Sequence, residues 1–169
     1  MPSRTHLGNF AGTGSNNITV PFGTQLLVVG VYTPGNDGSI PTITVLVDSV
    51  AMTRLTGAAP TQWGAGVIHV MEAPPSGTVP IQLGGSGGSY RDGYAVYAYS
   101  DLDEETMWDG EEWSEVVEDS DEVGVLVDSR EDDEVIAFHF AYTQYDLTYT
   151  GDGSVINVFA GGEPAADDA

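Results

Sequence analysis

The stretch TITVLVD, residues Thr42–Asp48, carries the clearest strand signature in this chain of 169 residues. Its residues alternate so that Ile43, Val45 and Val47 share one face, which is the two-residue period of an extended strand. A strand of this kind packs one face on a core and turns the other toward solvent. The stretch therefore predicts a sheet with one buried face.

The same pattern recurs along the chain at short spacing. In Thr78–Leu83 the apolar residues Val79, Ile81 and Leu83 again share a face. Pro80 within this stretch predicts an edge strand, because proline cannot donate a ladder hydrogen bond. Further strands are predicted at Ile18–Val20, Gln25–Thr33, Val67–Glu72, Tyr94–Ser100, Val123–Val127, Glu134–Tyr142 and Ser154–Ala160.

Helical signals are weak by comparison. Only Asp101–Val117 hints at a helix, and Gly110 would interrupt it. Nine or more short strands predict an all-β fold, a β-sandwich or a barrel, with minor helix. We expect a single sandwich domain over residues 1–160, with an acidic insertion at 101–122 and a flexible acidic tail at 161–169.

Three predicted strands are apolar on both faces: Leu26–Tyr32, Tyr94–Tyr99 and Val135–Tyr142. A two-layer sandwich buries one face of each sheet, so a second apolar face needs a cover. Loops of the same chain are one candidate cover. A neighbouring subunit is the other, since apolar outer faces commonly mark interfaces. The sequence favours a homo-oligomer and leaves both open.

The chain is strongly acidic, with 26 Asp and Glu against four Arg and no Lys, for a net charge of −22. Because 41% of the residues are hydrophobic and lie in organised runs, this composition does not predict disorder. It indicates adaptation to molar salt, where the Debye length falls to about 3 Å and carboxylates barely repel one another. The same charge argues against a nucleic-acid partner.

Composition also limits chemistry and location. Cysteine is absent, so thiolate catalysis and cysteine metal sites are excluded. No run approaches the length of a membrane-spanning helix, and Met1–Phe10 lacks the pattern of a signal peptide. We therefore expect a protein made in the cytoplasm of a cell, without a signal peptide and with no membrane partner.

No catalytic constellation stands out. His6, His69 and His139 are too scattered for a metal-binding pair, and His69 and His139 fall on apolar strand faces, as packed core histidines do. Gly84–Gly88 matches the letters of a nucleophile elbow, but that motif needs a strand leading into a helix. The sequence therefore predicts a protein that is not an enzyme and holds no cofactor.

The acidic half of the chain offers two further candidates. Its carboxylate clusters could ligate calcium, but none follows the EF-hand spacing, and we favour solvated loops. Trp108 and Trp113 lie within the acidic insertion and are the candidate binding residues, as a sugar platform or a partner hot spot. The alternative is that they anchor a long loop onto the sandwich.

Four segments together resemble a known family. They are Leu26–Tyr32 (LLVVGVY), Ile43–Leu55 (ITVLVDSVAMTRL), Val70–Val79 (VMEAPPSGTV) and Tyr94–Asp103 (YAVYAYSDLD). Their order is similar to a jelly-roll domain of tailed-phage and archaeal-virus structural proteins and bacterial surface proteins. Ser49 departs from the family, which usually has glycine there, and segment 101–122 departs as well.

This resemblance implies a jelly-roll-like antiparallel β-sandwich as the fold, and it also implies a role. With the acidic composition, it implies a structural protein on the virion surface of a halophilic archaeal tailed virus. Such a capsid decoration or turret protein would assemble as a homo-oligomer on other virion proteins, such as the major capsid protein. The alternative is a receptor- or carbohydrate-binding module of a tail fibre or a cell-surface protein.

Overall fold

The computed structural model describes residues 3–11, 14–34, 42–58, 64–86, 93–102, 139–141 and 158–160. Every regular element in these ranges is a strand. The strands are β1 Ser3–Ala11, β2 Ser15–Val20, β3 Leu26–Pro34, β4 Thr42–Val47, β5 Val50–Ala51, β6 Thr53–Ala58, β7 Gly64–Glu72, β8 Gly77–Ser86, β9 Gly93–Ser100, β10 His139–Ala141 and β11 Val158–Ala160. The prediction of an all-β chain is confirmed for this part.

Nine of the strands form two antiparallel sheets. One sheet has the order β1-β9-β3-β7-β6 and the other β2-β8-β4-β5, while β10 and β11 pair in parallel. If β6 is set aside, the strand order of the two sheets is that of a jelly roll, in which every connection except β4–β5 passes from one sheet to the other. The predicted jelly-roll sandwich is therefore the architecture of the described residues.

The core lies between the two sheets. Sixteen buried residues form one cluster: Ile18, Val20, Leu27, Val29, Val31, Ile43, Val45, Val47, Met52, Val67, Val79, Ile81, Leu83, Tyr94, Val96 and Ala98. Every strand residue among them follows the two-residue period of its strand, since alternate side chains point to the same face. The inward faces predicted for Thr42–Asp48 and Thr78–Leu83 are confirmed.

The outer face of the five-stranded sheet carries a second apolar cluster. Its six buried members are Leu26, Val28, Val70, Ala95, Tyr97 and Tyr99, each no more than 3% exposed, with Leu55, Ile68 and Leu102 packed against them. This confirms that β3 and β9 are apolar on both faces. These residues are buried within the single chain.

Pro80 does not mark an edge strand, so that prediction is wrong. β8 lies between β2 and β4. However, β4 ends at Val47, which pairs with Ile81, and at Pro80 only the backbone N–H of Asp48 approaches, donating to the Pro80 carbonyl. On the side of β8 that faces β4, no ladder hydrogen bond is therefore needed from the nitrogen of Pro80. The shortness of β4 thus permits a proline inside the sheet.

Two parts of the fold were not predicted. The N-terminal arm that holds His6 is the edge strand β1, paired with β9 through a β-bulge between His6 and Gly8. The chain also crosses from one sheet to the other at Met52, between β5 and β6. Both segments lack a regular apolar alternation, because a bulge or a sheet switch breaks the two-residue period.

The turn between β4 and β5 holds two residues in the left-handed backbone region. Asp48 has a φ of 48° and Ser49 a φ of 68°, and Val47 pairs directly with Val50. This is the geometry of a two-residue type I′ hairpin, which favours Asp or Asn followed by Gly. Ser49 therefore occupies a position that suits glycine better.

We expect Ser49→Gly to raise the free energy of unfolding by about 1 kcal/mol, because glycine removes the left-handed strain while costing some unfolded-state entropy. For a chain of this size the melting temperature should rise by roughly 2–4 °C. Differential scanning calorimetry in high salt would measure the shift. The matched control is Ser76→Gly, at an exposed turn serine that does not have a positive φ. An equal gain in both variants would contradict the strain argument.

Candidate interaction surface at one end of the sandwich

Four connections meet at one end of the sandwich. They are residues 21–25 between β2 and β3, 48–49 between β4 and β5, 73–76 between β7 and β8, and 101–102 after β9. The strand registers place three of them together, since Leu26 pairs with both Glu72 and Tyr99, and Val20 pairs with Gly77. The turn at 48–49 joins them through the Asp48 N–H, which donates to the Pro80 carbonyl near the start of β8. We call these four connections the turn end.

Backbone strain in the described residues is concentrated at the turn end. The non-glycine residues with positive φ there are Asp48, Ser49, Ala73 and Asp101, and the described part of the chain has no others. Such conformations persist only where surrounding contacts enforce them, and they cluster at functional sites more often than elsewhere. The turn end is therefore a tightly specified surface and a candidate for binding.

Gln25 joins three of the four connections, residues 21–25, 73–76 and 101–102, by hydrogen bonds. Its backbone N–H donates to the Tyr99 carbonyl at 2.8 Å, and its own carbonyl accepts the Ala73 N–H at 2.8 Å. The side-chain amide then bonds both backbone groups of Leu102: Oε1 accepts the N–H at 2.8 Å and Nε2 donates to the carbonyl at 3.1 Å. Gln25 thus fixes the point where the chain leaves β9 toward the acidic insertion.

Phe22 projects from the turn between β2 and β3 and is 96% exposed. The turn is closed by Thr24, whose N–H and hydroxyl both donate to the Pro21 carbonyl, at 3.3 and 2.9 Å. Gly23 has a φ of 85°, as the third position of a type II turn requires. We call Pro21–Thr24 the Phe22 turn. The Phe22 turn exposes the large apolar side chain of Phe22 to solvent, while hydrogen bonds define the backbone of the turn.

A shallow hollow of about 350 Å³ lies at the corner where the chain passes from β5 to β6. It is lined by Val50, Ala51, Thr53, Val70, Met71 and Glu72. Val50 at its rim is 59% exposed. We call this the β5–β6 hollow. Its volume is near the lower limit of small-molecule pockets, so it suits one side chain better than a larger ligand.

His69 is a structural residue of the core. It is 1% exposed, and its Nε2 lies 3.2 Å from the Ile43 carbonyl. β5 pairs only with Leu46 and Val47, so on the β5 side of β4 there is no ladder partner beside Ile43. Nε2–H donates to this open carbonyl and bridges the sheets, while Nδ1 has no hydrogen-bond partner. The expectation of a packed, hydrogen-bonded histidine is confirmed.

Burial controls the charge of His69. Desolvation lowers its pKa from 6.5 to about 4; the hydrogen bond to Ile43 opposes this shift and the positive charge of Arg54 adds to it. The imidazole is therefore neutral at pH 7. With one nitrogen bonded and the ring closed off from solvent, His69 has no access to a substrate.

Aromatic residues join the N-terminal strands to the core. The Phe10 ring stacks on Tyr94 with centroids 5.2 Å apart, and Asn16 Nδ2 donates to the Tyr94 hydroxyl at 2.8 Å. Desolvation raises the pKa of this tyrosine. His6 stacks on Tyr97 at 4.9 Å on the other face of the sheet. These contacts account for His6 and Tyr94 as structural residues.

The other residues singled out in the sequence fall in two groups. Trp108, Trp113 and the proposed acidic tail lie outside the described residues, as do most of the acidic insertion and the side chain of His139. Gly84–Ser86 of the elbow-like sequence belong to β8, so this part is strand and not loop. No nucleophile, base and acid meet among the described side chains.

Two searches of the described residues gave negative results. No three His, Asp or Glu side chains come close enough together there to hold a metal ion. The described part also contains no helix long and apolar enough to cross a membrane.

Phe22 and Gln25 were both missed in the sequence. Phe22 had a usable signal, because an aromatic residue between proline and glycine in a short turn is exposed when the turn is tight. Gln25 had none, since its partners are backbone groups far along the chain.

Comparison with known proteins adds no further assignment. No family model matches the chain, and neither a curated protein nor a solved structure matches it.

Proposed function

We propose that this chain is a structural protein of the virion surface of a halophilic archaeal tailed virus. In this role, as a capsid decoration or turret protein, it assembles as a homo-oligomer on other virion proteins. The observation that carries the proposal is the jelly-roll sandwich, whose exposed large apolar side chains among the described residues are Phe22 at the turn end and Val50 beside it.

The acidic composition supports the same environment. A net charge of −22 would oppose self-association in dilute buffer, where the Debye length is about 10 Å at 0.1 M salt. In molar salt this repulsion is screened and apolar contacts are strengthened. Assembly in such a medium can therefore rest on a few exposed apolar side chains.

A binding module of a tail fibre or cell surface is the second candidate. Its proposed contacts are Trp108 and Trp113. The feature that favours it is the anchoring of Leu102 by Gln25, because a loop that presents a binding site needs a fixed point of departure. In this role the sandwich is a scaffold.

The molar mass in 3 M salt tests the assembly, measured by light scattering behind size exclusion. We expect a discrete trimer, pentamer or hexamer that dissociates when the salt is lowered to 0.1 M, as the carboxylates again repel. Mass spectrometry of purified virus particles from the source host should detect the chain.

Two results would contradict the proposal. A monomer at all protein concentrations in 3 M salt would overturn self-assembly. In that case retention on host-cell envelopes that is lost in Trp108→Ala would favour the binding module. An oligomer that is absent from purified particles would keep the assembly but overturn the location on a virion.

A further inference from the structure

Two large hydrophobic side chains are exposed in the described part of the chain, Phe22 and Val50. Phe22 lies at the turn end and Val50 directly follows it, where the backbone is held by hydrogen bonds and by left-handed turns. An exposed phenylalanine forgoes much of the 150–250 Å² of burial available to an aromatic side chain. At molar salt this exposure is more unfavourable still.

The two residues sit on opposite sides of the turn end. The Phe22 turn follows β2, which is one edge of the four-stranded sheet, while Val50 belongs to β5 at the other edge. Three strand spacings separate these edges, or about 14 Å. One side of the molecule therefore presents a projecting side chain and the other side presents the β5–β6 hollow.

We propose that Phe22 of one subunit inserts into the β5–β6 hollow of a second copy of this chain. The contact deepens the homo-oligomer stated above and rests on it. It joins unlike surfaces, so it is heterologous, and repeated around an axis it closes a ring. We call Phe22 the knob of this contact. Because the knob and the β5–β6 hollow lie on opposite sides of one subunit, each copy can donate Phe22 to one neighbour and accept it from another.

The second copy fits this site better than a small ligand. The hollow is open and lined by both apolar and polar groups, with Val50, Ala51, Val70 and Met71 as its apolar side chains. It offers about 350 Å³ and no buried cluster of polar groups that would orient a small molecule. A rigid aromatic residue is the kind of anchor that dominates protein interfaces, and the same chain displays one.

The proposal is tested with two variants that remove opposite halves of the contact. Phe22→Ser removes the knob and leaves the hollow, while Val50→Asp spoils the hollow and leaves the knob. Both positions are exposed, so both variants should fold, as circular dichroism would verify. In analytical ultracentrifugation at 3 M salt, we expect each change to raise the dissociation constant of the oligomer by about thirtyfold, the size of a hot-spot effect.

Mixing the variants gives the decisive result. The knob of Val50→Asp and the hollow of Phe22→Ser complement each other, so the mixture should form one-to-one dimers that neither variant forms alone. Closed rings should not reappear, because each pair has a single intact junction. Thr19→Ser, an exposed change on β2 that keeps the hydroxyl facing Thr78, is the control and should assemble like the natural protein.

The possible failures are distinguishable. If the natural chain is an oligomer that Phe22→Ser does not weaken, the contact is wrong and the assembly stands. If Phe22→Ser dissociates the oligomer but the mixture gives no dimers, Phe22 does not enter this hollow. If the natural chain is a monomer, both the proposed contact and the proposed function are contradicted.

Discussion

Acidification from pH 7 to pH 5 is expected to remove about 2 kcal/mol from the free energy of unfolding, owing to His69 alone. The folded-state pKa of His69 is lowered to about 4, below the value of 6.5 in the unfolded chain. Below pH 6.5 the His69 side chain therefore binds a proton in the unfolded chain but not in the folded chain. Stability is lost as the pH falls from 6.5 toward 4, and above pH 7 this histidine has no effect.

His69→Gln isolates this contribution. The glutamine Nε2 can donate to the Ile43 carbonyl as the imidazole Nε2 does, and it does not titrate between pH 4 and 7. Chemical denaturation at pH 7 and pH 5 in 3 M salt should show the full loss in the free energy of unfolding for the natural protein. The variant should show only the part of this loss that other titrating groups cause. Identical losses in the two proteins would show that His69 is not the group responsible.

Gln25→Ala is expected to lower the free energy of unfolding by about 2 kcal/mol, since it removes two hydrogen bonds to Leu102 and leaves both backbone groups without their partner. The melting temperature should fall by roughly 4–8 °C. Gln82→Ala is the matched control, because Gln82 is exposed on β8, and its effect should stay within about 0.5 kcal/mol.

Hydrogen exchange gives a local measurement of the same contact. The Leu102 N–H donates to the Gln25 side chain, so it should be protected in the natural protein and exchange much faster in Gln25→Ala. Gln25→Glu keeps the acceptor for this N–H but loses the donor to the Leu102 carbonyl. It should retain part of the protection and still lose stability. Unchanged exchange in Gln25→Ala would mean that Gln25 does not hold the segment.

These two residues show how the fold positions its surfaces. His69 satisfies a strand carbonyl beyond the end of β5, and Gln25 fixes the exit from β9. Gln25 acts at the turn end, which the proposed assembly requires, while His69 links the two sheets at the start of β4.

The sequence alone determined the class of fold and the residues of the core. The alternation in Thr42–Val47 and Thr78–Leu83 specified which side chains face inward, because a strand turns alternate side chains to one face and burial of that face stabilises the sheet. The two apolar faces of β3 and β9 were equally visible in the sequence. Local periodicity is sufficient for such properties.

Only the tertiary structure decided the properties that depend on distant segments. Strand order placed Pro80 in an inner strand, where the shortness of β4 makes the missing N–H harmless. Packing buried Tyr97 and Tyr99 within a single chain. The meeting of four connections left Phe22 and Val50 exposed on opposite sides of one end. Hydrogen bonds and packing between residues far apart in the chain determine these features, so a local sequence pattern does not predict them.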